Sequence, residues 1–112
     1  MSYKLIYSPF AIRDIDITWA EVWSACQDLD TAERYMIGLK EAIKSKSAFP
    51  KSGVPLNFLG EFTGIYYVRF KEYIAFYHIT ENNMYVDRIL FARSDYMKTL
   101  FGYSDFTPED VD

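Results

Sequence analysis

The sequence is poor in the residues that metal centres and disulfide frameworks require. Its 112 residues include a single cysteine, Cys26, and a single histidine, His78. One cysteine excludes a disulfide framework and is typical of a protein from a reducing compartment. One cysteine and one histidine also cannot supply a metal-ligand cluster, and no glycine-rich phosphate-binding loop is present. The sequence therefore predicts no metal and no cofactor.

Long apolar runs are lacking as well. No run approaches the roughly 20 residues that a membrane-spanning helix needs. The first residues, Met1 to Tyr7, do not show the basic-then-apolar pattern of a signal peptide. We therefore expect a cytoplasmic protein that makes no membrane contact.

An excess of positive charge is also missing, and the formal net charge is −4. Residues 103–112 hold four acids and no base, which leaves 12 acids against the 12 lysines and arginines of residues 1–102. A strong nucleic-acid binder needs many cationic phosphate contacts, so we expect no strong direct binding to RNA or DNA. Residues 1–102 are predicted to form one domain, followed by an acidic, frayed tail over 103–112.

Apolar residues make up 50% of the chain and aromatic residues 19%, which is enough for one well-filled core. Tyr3 to Tyr7 is predicted to be a short strand, and Ser8-Pro9 predicts the start of a first helix. Asp30 with Glu33 forms a capping-box pattern for a second helix. Because the connection is short, the two helices should form an antiparallel hairpin. The predicted buried stripes are Ile12, Ile15, Trp19, Val22, Trp23 and Cys26 on the first helix, and Ala32, Tyr35, Met36, Leu39, Ala42 and Ile43 on the second.

The second half of the chain has the pattern of an antiparallel meander. Glycines and prolines predict a packed loop over residues 48–64. A short helix, Ser94 to Phe101, is expected at the end and should stop at Gly102. The three strands predicted between them are Ile65 to Phe70, Tyr73 to Ile79 and Met84 to Phe91. The predicted fold class is therefore α+β, in the order β-α-α-β-β-β-α.

Both faces of these strands are apolar, although two helices can cover only one of them. In the first strand of the meander, Tyr66, Val68 and Phe70 alternate with Ile65, Tyr67 and Arg69. The second face must be covered by the terminal segment, by a second copy in a homodimer, or by a partner. We favour a protein partner over the alternative that the 48–64 loop and the last helix cover this face.

The segment from Gly64 to Leu100 resembles the RelE/ParE superfamily of toxins from bacterial type II toxin–antitoxin systems. The shared pattern is an arginine-bearing strand, a tight turn, a strand ending in tyrosine, an apolar strand and a late arginine. The chain supplies these as Arg69, Tyr77, the Val86 to Phe91 strand and Arg93. The front half fits through Ser-Pro, the motif Ala11-x-x-Asp14 and the helical hairpin, so that the resemblance covers residues 3–101.

The resemblance implies a toxin whose partner is a cognate antitoxin, of the kind that also serves plasmid stabilization. If the chain is RelE-like, the resemblance implies a ribosome-dependent mRNA endonuclease that works without a metal. If it is ParE-like, the resemblance implies an inhibitor that binds DNA gyrase. A non-toxic interaction module is a third possibility.

The departures from the RelE pattern favour the ParE branch. The lysines that a RelE-like site would carry correspond to Ile65 and Tyr67 here. The basic residue that such a site would carry at the second position of the next strand corresponds to Ile74. The late tyrosine of that site falls at Thr99. Phosphodiester cleavage needs cations near the phosphate and a group that moves a proton, so two arginines without a lysine are poorly equipped. We therefore predict a binding inhibitor rather than an enzyme.

The candidate site residues follow from these two alternatives. Arg69 can bind a partner or pair across the sheet, for instance near Asp87, and Arg88 is expected to be paired or solvated. His78 is expected to be a hydrogen-bonded structural residue rather than a catalytic one. For a nuclease, the catalytic set would be Arg69 and Arg93, with His78 or Tyr96 to transfer the proton. For a binding protein, the predicted partner-binding set is Arg69, Tyr67, Ile74, Phe76, Arg93 and Tyr96.

Overall fold

The computed structural model describes residues 2–102, so the predicted acidic tail lies outside the described residues. Eight helices and strands and one short 3-10 turn follow in sequence. They are β1 (Lys4–Tyr7), α1 (Pro9–Cys26), α2 (Leu29–Lys44), a 3-10 turn (Pro50–Ser52), β2 (Val54–Phe58), β3 (Glu61–Phe70), β4 (Tyr73–Thr80), β5 (Asn83–Phe91) and α3 (Tyr96–Phe101). This is the predicted α+β class, with the predicted helical hairpin, meander and terminal helix.

The two long helices start at polar caps. Ser8 caps α1, because its Oγ accepts a hydrogen bond from the Ala11 N–H at 2.9 Å, and Pro9 occupies the first helical position as predicted. The predicted Asp30–Glu33 capping box is wrong. Asp28 caps α2 instead, through a 3.0 Å bond from the Thr31 N–H. Gln27 adopts the left-handed conformation and ends α1, so the chain can start the next helix two residues earlier than predicted.

The strands form one five-stranded sheet in the order β1-β5-β4-β3-β2. β1 runs parallel to β5, and the other neighbouring strands are antiparallel. The prediction of a loop over 48–64 is wrong in its second half, because β2 lies there and β3 begins at Glu61. Pro55 suggested a loop, but β2 is an edge strand, where a proline without an N–H is tolerated.

The helix pair covers one face of the sheet and builds the main core. The predicted stripe of α2 is confirmed, with Ala32, Met36, Leu39 and Ile43 buried. The predicted stripe of α1 is partly wrong, since Ile12 and Trp23 are 54% and 43% exposed. The residues of α1 that are buried are Ala11, Asp14, Thr18 and Val22. The buried side of α1 is rotated toward Asp14 because Arg88 and the Ile89 N–H, both on β5, donate hydrogen bonds to the Asp14 carboxylate.

The second face of the sheet is covered by the chain itself, contrary to the expectation of an open face. Leu56, Ile74 and Phe76 are buried there, and four side chains of α3 pack against them. Those four are Tyr96, Met97, Leu100 and Phe101, which share one side of the short helix. The terminal helix therefore covers the centre of the apolar face for which we favoured a protein partner.

Within residues 2–102, no helix combines the length and the apolar character that crossing a membrane requires. The same part of the chain holds no group of three or more His, Cys, Asp or Glu residues that is arranged to bind a metal ion.

Candidate partner-binding surface

The candidate site lies on the sheet face beneath α3, which we call the α3 face and define by Tyr67, Ile74, Phe76 and Tyr96. The Tyr67 and Phe76 rings lie 5.9 Å apart between their centroids, and the Phe76 and Tyr96 rings lie 5.3 Å apart. Phe76 is fully buried, and Ile74 is 6% exposed. An apolar array therefore runs from β3 through β4 onto α3, and the two predicted contact residues on β4 form its floor rather than its surface.

The α3 helix is a short cover whose polar contacts are local. It has six residues, none of them buried. Asp95 caps it by accepting a hydrogen bond from the Lys98 N–H at 3.3 Å, and Gly102 ends it in the left-handed conformation, with φ +80°. A helix of this length is not stable by itself in water. Its position therefore depends on the apolar packing of its side chains against the sheet.

The two arginines of the predicted partner-binding set lie at one end of this face. The Arg69 Nε donates a 2.7 Å hydrogen bond to the carbonyl of Lys71, in the β3–β4 turn. The Ala92 N–H donates to the carbonyl of Glu72 in the same turn at 2.8 Å, which brings the neighbouring Arg93 to this end of the sheet. Arg69 and Arg93 are both exposed, so they form a cationic rim beside the start of α3.

His78 lies at the opposite end and is hydrogen bonded, as its structural interpretation predicts. Its Nδ1 lies 2.8 Å from Asp87 Oδ2, and its ring centroid lies 5.2 Å from that of Tyr85. Burial raises the pKa of Asp87 above its ordinary value, and the hydrogen bond to His78 partly opposes this. Asp87 therefore pairs with His78, and Arg69 bonds to the β3–β4 turn. The pairing of Arg69 near Asp87 that the sequence suggested is not formed.

His78, one of the two proton-transfer candidates of the nuclease alternative, does not meet the arginines. Arg69 is in register with Ile74, and His78 follows Ile74 by four positions, which corresponds to about 13 Å along the strand. The Phe76–Tyr96 ring pair lies between the two ends. A general acid or base must come within hydrogen-bond reach of the reacting group that the cations hold. In this arrangement His78 and Arg69 are too far apart to act on one phosphate.

An interaction that was not predicted joins the first helix to the sheet. The Asp14 carboxylate, 4% exposed, accepts hydrogen bonds from Arg88 Nε at 2.7 Å and from Arg88 Nη2 at 3.0 Å. It also accepts one from the Ile89 N–H at 2.9 Å. Arg88 is therefore paired, which is one of its two expected states, whereas the apolar stripe predicted for α1 did not include Asp14. The Ala11-x-x-Asp14 motif was the available indication, because Ala11 is also fully buried.

Comparisons with known proteins agree with this architecture. The sequence profile described as ParE toxin of type II toxin-antitoxin system, parDE, matches residues 5–96. A solved structure of the chromosomal ParDE system from P. aeruginosa superposes with a TM-score of 0.68 at 14% identity, over 82% of this chain and 98% of that one.

The toxin–antitoxin complex RelBE2 from Mycobacterium tuberculosis contains a chain that superposes with a TM-score of 0.55 at 18% identity, over 81% of this chain and 92% of that one. At these identities the likeness concerns the fold. No curated protein sequence matches the chain. The predicted RelE/ParE-like fold is confirmed.

Proposed function

This chain belongs to the ParE toxin family of type II toxin–antitoxin systems, and from that premise we propose that it inhibits DNA gyrase by binding and is neutralised by a cognate antitoxin. The observation that carries the choice of a binding inhibitor is the separation of His78 from Arg69 on the α3 face, which leaves Tyr96, whose ring packs on Phe76, as the proton-transfer candidate near the arginines. Cleavage of mRNA on the ribosome would require a proton-transfer group to converge with the arginines on the phosphate, and the imidazole does not. The proposed site of action is the cytoplasm, where gyrase is found.

The antitoxin contact that we propose is the outer side of α3 together with the cationic rim. Tyr67 and Tyr96 are half-buried, so each keeps surface that a partner can cover. Arg69 and Arg93 are exposed beside them and would meet acidic side chains. Ile74 and Phe76 would support this contact from below, by holding α3 in place.

Induction of the chain alone tests the toxin proposal. We expect growth arrest with filamentous cells and an SOS response, and inhibition of gyrase supercoiling by the purified chain. Cut mRNA with halted translation would replace this proposal with the RelE-type alternative. In that case Arg69→Ala should abolish the cutting. Unchanged growth would exclude both toxin functions and support the non-toxic interaction module.

The antitoxin contact is tested with the double variant Arg69→Ala/Arg93→Ala. The candidate antitoxin to use is the product of the neighbouring gene, and we expect the variant to weaken its binding at least tenfold. The matched control is Lys40→Ala/Lys44→Ala, which removes two charges from α2, away from the rim. Equal affinity of the two double variants would exclude the rim. Light scattering of the purified chain tests in the same preparation whether two copies form a homodimer, which was one of the three ways considered for covering the second sheet face.

A further inference from the structure

A cavity of about 650 Å³ opens on the helix-covered side of the molecule, at the opposite face from α3. Its walls come from the end of α1, the start of α2, β4 and the end of β5. Its lining is mainly apolar and includes Val22 and Ala25. The volume falls within the roughly 300–1,000 Å³ typical of ligand pockets.

Three aromatic rings border this cavity. The Tyr35 and Tyr73 ring centroids lie 6.2 Å apart with an interplanar angle of 84°. The Tyr73 and Phe91 centroids lie 5.6 Å apart at 66°. Tyr73 is 5% exposed and lies at the base of the opening, whereas Tyr35 is half-buried and Phe91 is 38% exposed, so Tyr35 and Phe91 offer the accessible ring surface. Aromatic faces grouped in this way attract organic cations.

Two carboxylates stand among these rings. The Tyr73 hydroxyl donates a 2.6 Å hydrogen bond to Glu21 Oε1. Burial, and after it this bond to Glu21, raises the pKa of the Tyr73 phenol well above its ordinary value, so the phenol stays a hydrogen-bond donor to that carboxylate. Glu72 adds a second acid to the lining. Of the described residues, none that lines the cavity is a lysine or an arginine.

The cations nearby lie at the edges of this site. Lys71 Nζ lies 5.5 Å from the Tyr35 centroid and 5.6 Å from the Phe70 centroid, so the chain already places an ammonium group over one of the three rings. Arg93 precedes Ser94, which is part of the lining. Both side chains are exposed, and neither is part of the cavity wall.

We propose that this cavity binds the side chain of a lysine or arginine carried by an apolar segment of a protein partner. The alkyl stem would lie against the apolar walls, and the charged head would meet the rings and the two carboxylates. The identification of the partner as the antitoxin rests on the proposed function. The binding chemistry rests only on the rings, the acids and the apolar wall.

The test is an NMR titration of the full-length, isotope-labelled chain with blocked amino acids. The probes are Nα-acetyl-lysine-N-methylamide and its arginine counterpart, and the matched probe is Nα-acetyl-norleucine-N-methylamide, which has an apolar chain without the charge. We expect saturable shifts at the amides of Glu21, Tyr35 and Tyr73 with the basic probes. Binding of norleucine should be at least threefold weaker.

Variants of the chain separate the roles of charge and fold. Glu21→Gln keeps an oxygen that can accept from Tyr73 but removes the charge, and it should weaken the basic probes about threefold to tenfold. Glu41→Gln removes one charge on α2 away from the cavity and should leave binding unchanged. Equal binding of the lysine and norleucine probes would overturn the proposal, as would a titration without saturable shifts.

Two further outcomes locate a failure. If n-hexylammonium binds while the blocked lysine and arginine do not, the cavity takes small amines and the proposal is refuted. Growth arrest without probe binding would refute this inference and leave the proposed function intact. Probe binding without any growth effect would support this inference and refute the proposed function.

Discussion

Asp14 holds α1 against β5, and its replacement by alanine tests how much that contact contributes to stability. The carboxylate accepts two hydrogen bonds from Arg88 and one from the Ile89 N–H. Asp14→Ala removes the ion pair and leaves the Ile89 N–H, a backbone donor in the core, without its acceptor. We therefore expect a clear loss of folding free energy.

The magnitude follows from the exposure of the partners. An orphaned buried donor costs about 1–3 kcal/mol. The Arg88 side chain is 28% exposed, so water can still reach it, and the lost pair should cost about 1 kcal/mol rather than the roughly 3–5 kcal/mol of a fully buried pair. The expected total is about 2–4 kcal/mol, a large share of the roughly 5–15 kcal/mol that stabilises a domain.

Urea unfolding, followed by tryptophan fluorescence and circular dichroism, measures this loss. Asp14→Asn retains an oxygen for the Ile89 N–H and should cost only about 1–2 kcal/mol. Asp16→Ala, on the exposed side of the same helix, should stay within about 0.5 kcal/mol of the parent. The reasoning is refuted if Asp14→Ala costs less than 1 kcal/mol, or if asparagine costs as much as alanine.

Three further predictions concern the sheet. A Cβ at Gly53 would lie 2.0 Å from the Tyr77 hydroxyl, so Gly53→Ala should cost about 1–3 kcal/mol in thermal unfolding, and Tyr77→Phe should recover part of it. Burial raises the pKa of Tyr77 from 10 to about 12, so stability should be full below pH 10 and fall as pH rises through about 12, less steeply in Tyr77→Phe. Phe76→Ala should cost about 3–5 kcal/mol, and Tyr96→Ala clearly less, because Tyr96 is only half-buried.

Much of the fold could be predicted because its determinants are local. Ser8 and Pro9 set the start of α1 through the cap and the fixed proline φ. Alternating residues and tight turns gave the meander of β3, β4 and β5. The apolar spacing of α2 gave its buried side correctly. In each case a few neighbouring residues decide the conformation.

The errors occurred where distant residues decide. β2 pairs with β3 as an edge strand, and that position makes Pro55 acceptable there. Asp14 is buried because Arg88 and Ile89, more than 70 positions away, supply its hydrogen-bond donors. Spacing on one helix cannot show a donor on another element.

For the candidate site, the sequence by itself determined which residues are available: Arg69 and Arg93, one histidine, and strands that are apolar on both faces. Only the tertiary structure decided that α3 covers one of those faces, that His78 pairs with Asp87 far from Arg69, and that Glu21 meets Tyr73 beside a cavity. The physical reason is that composition and periodicity fix the faces of single elements. Which face meets which partner depends on the packing of all the elements together.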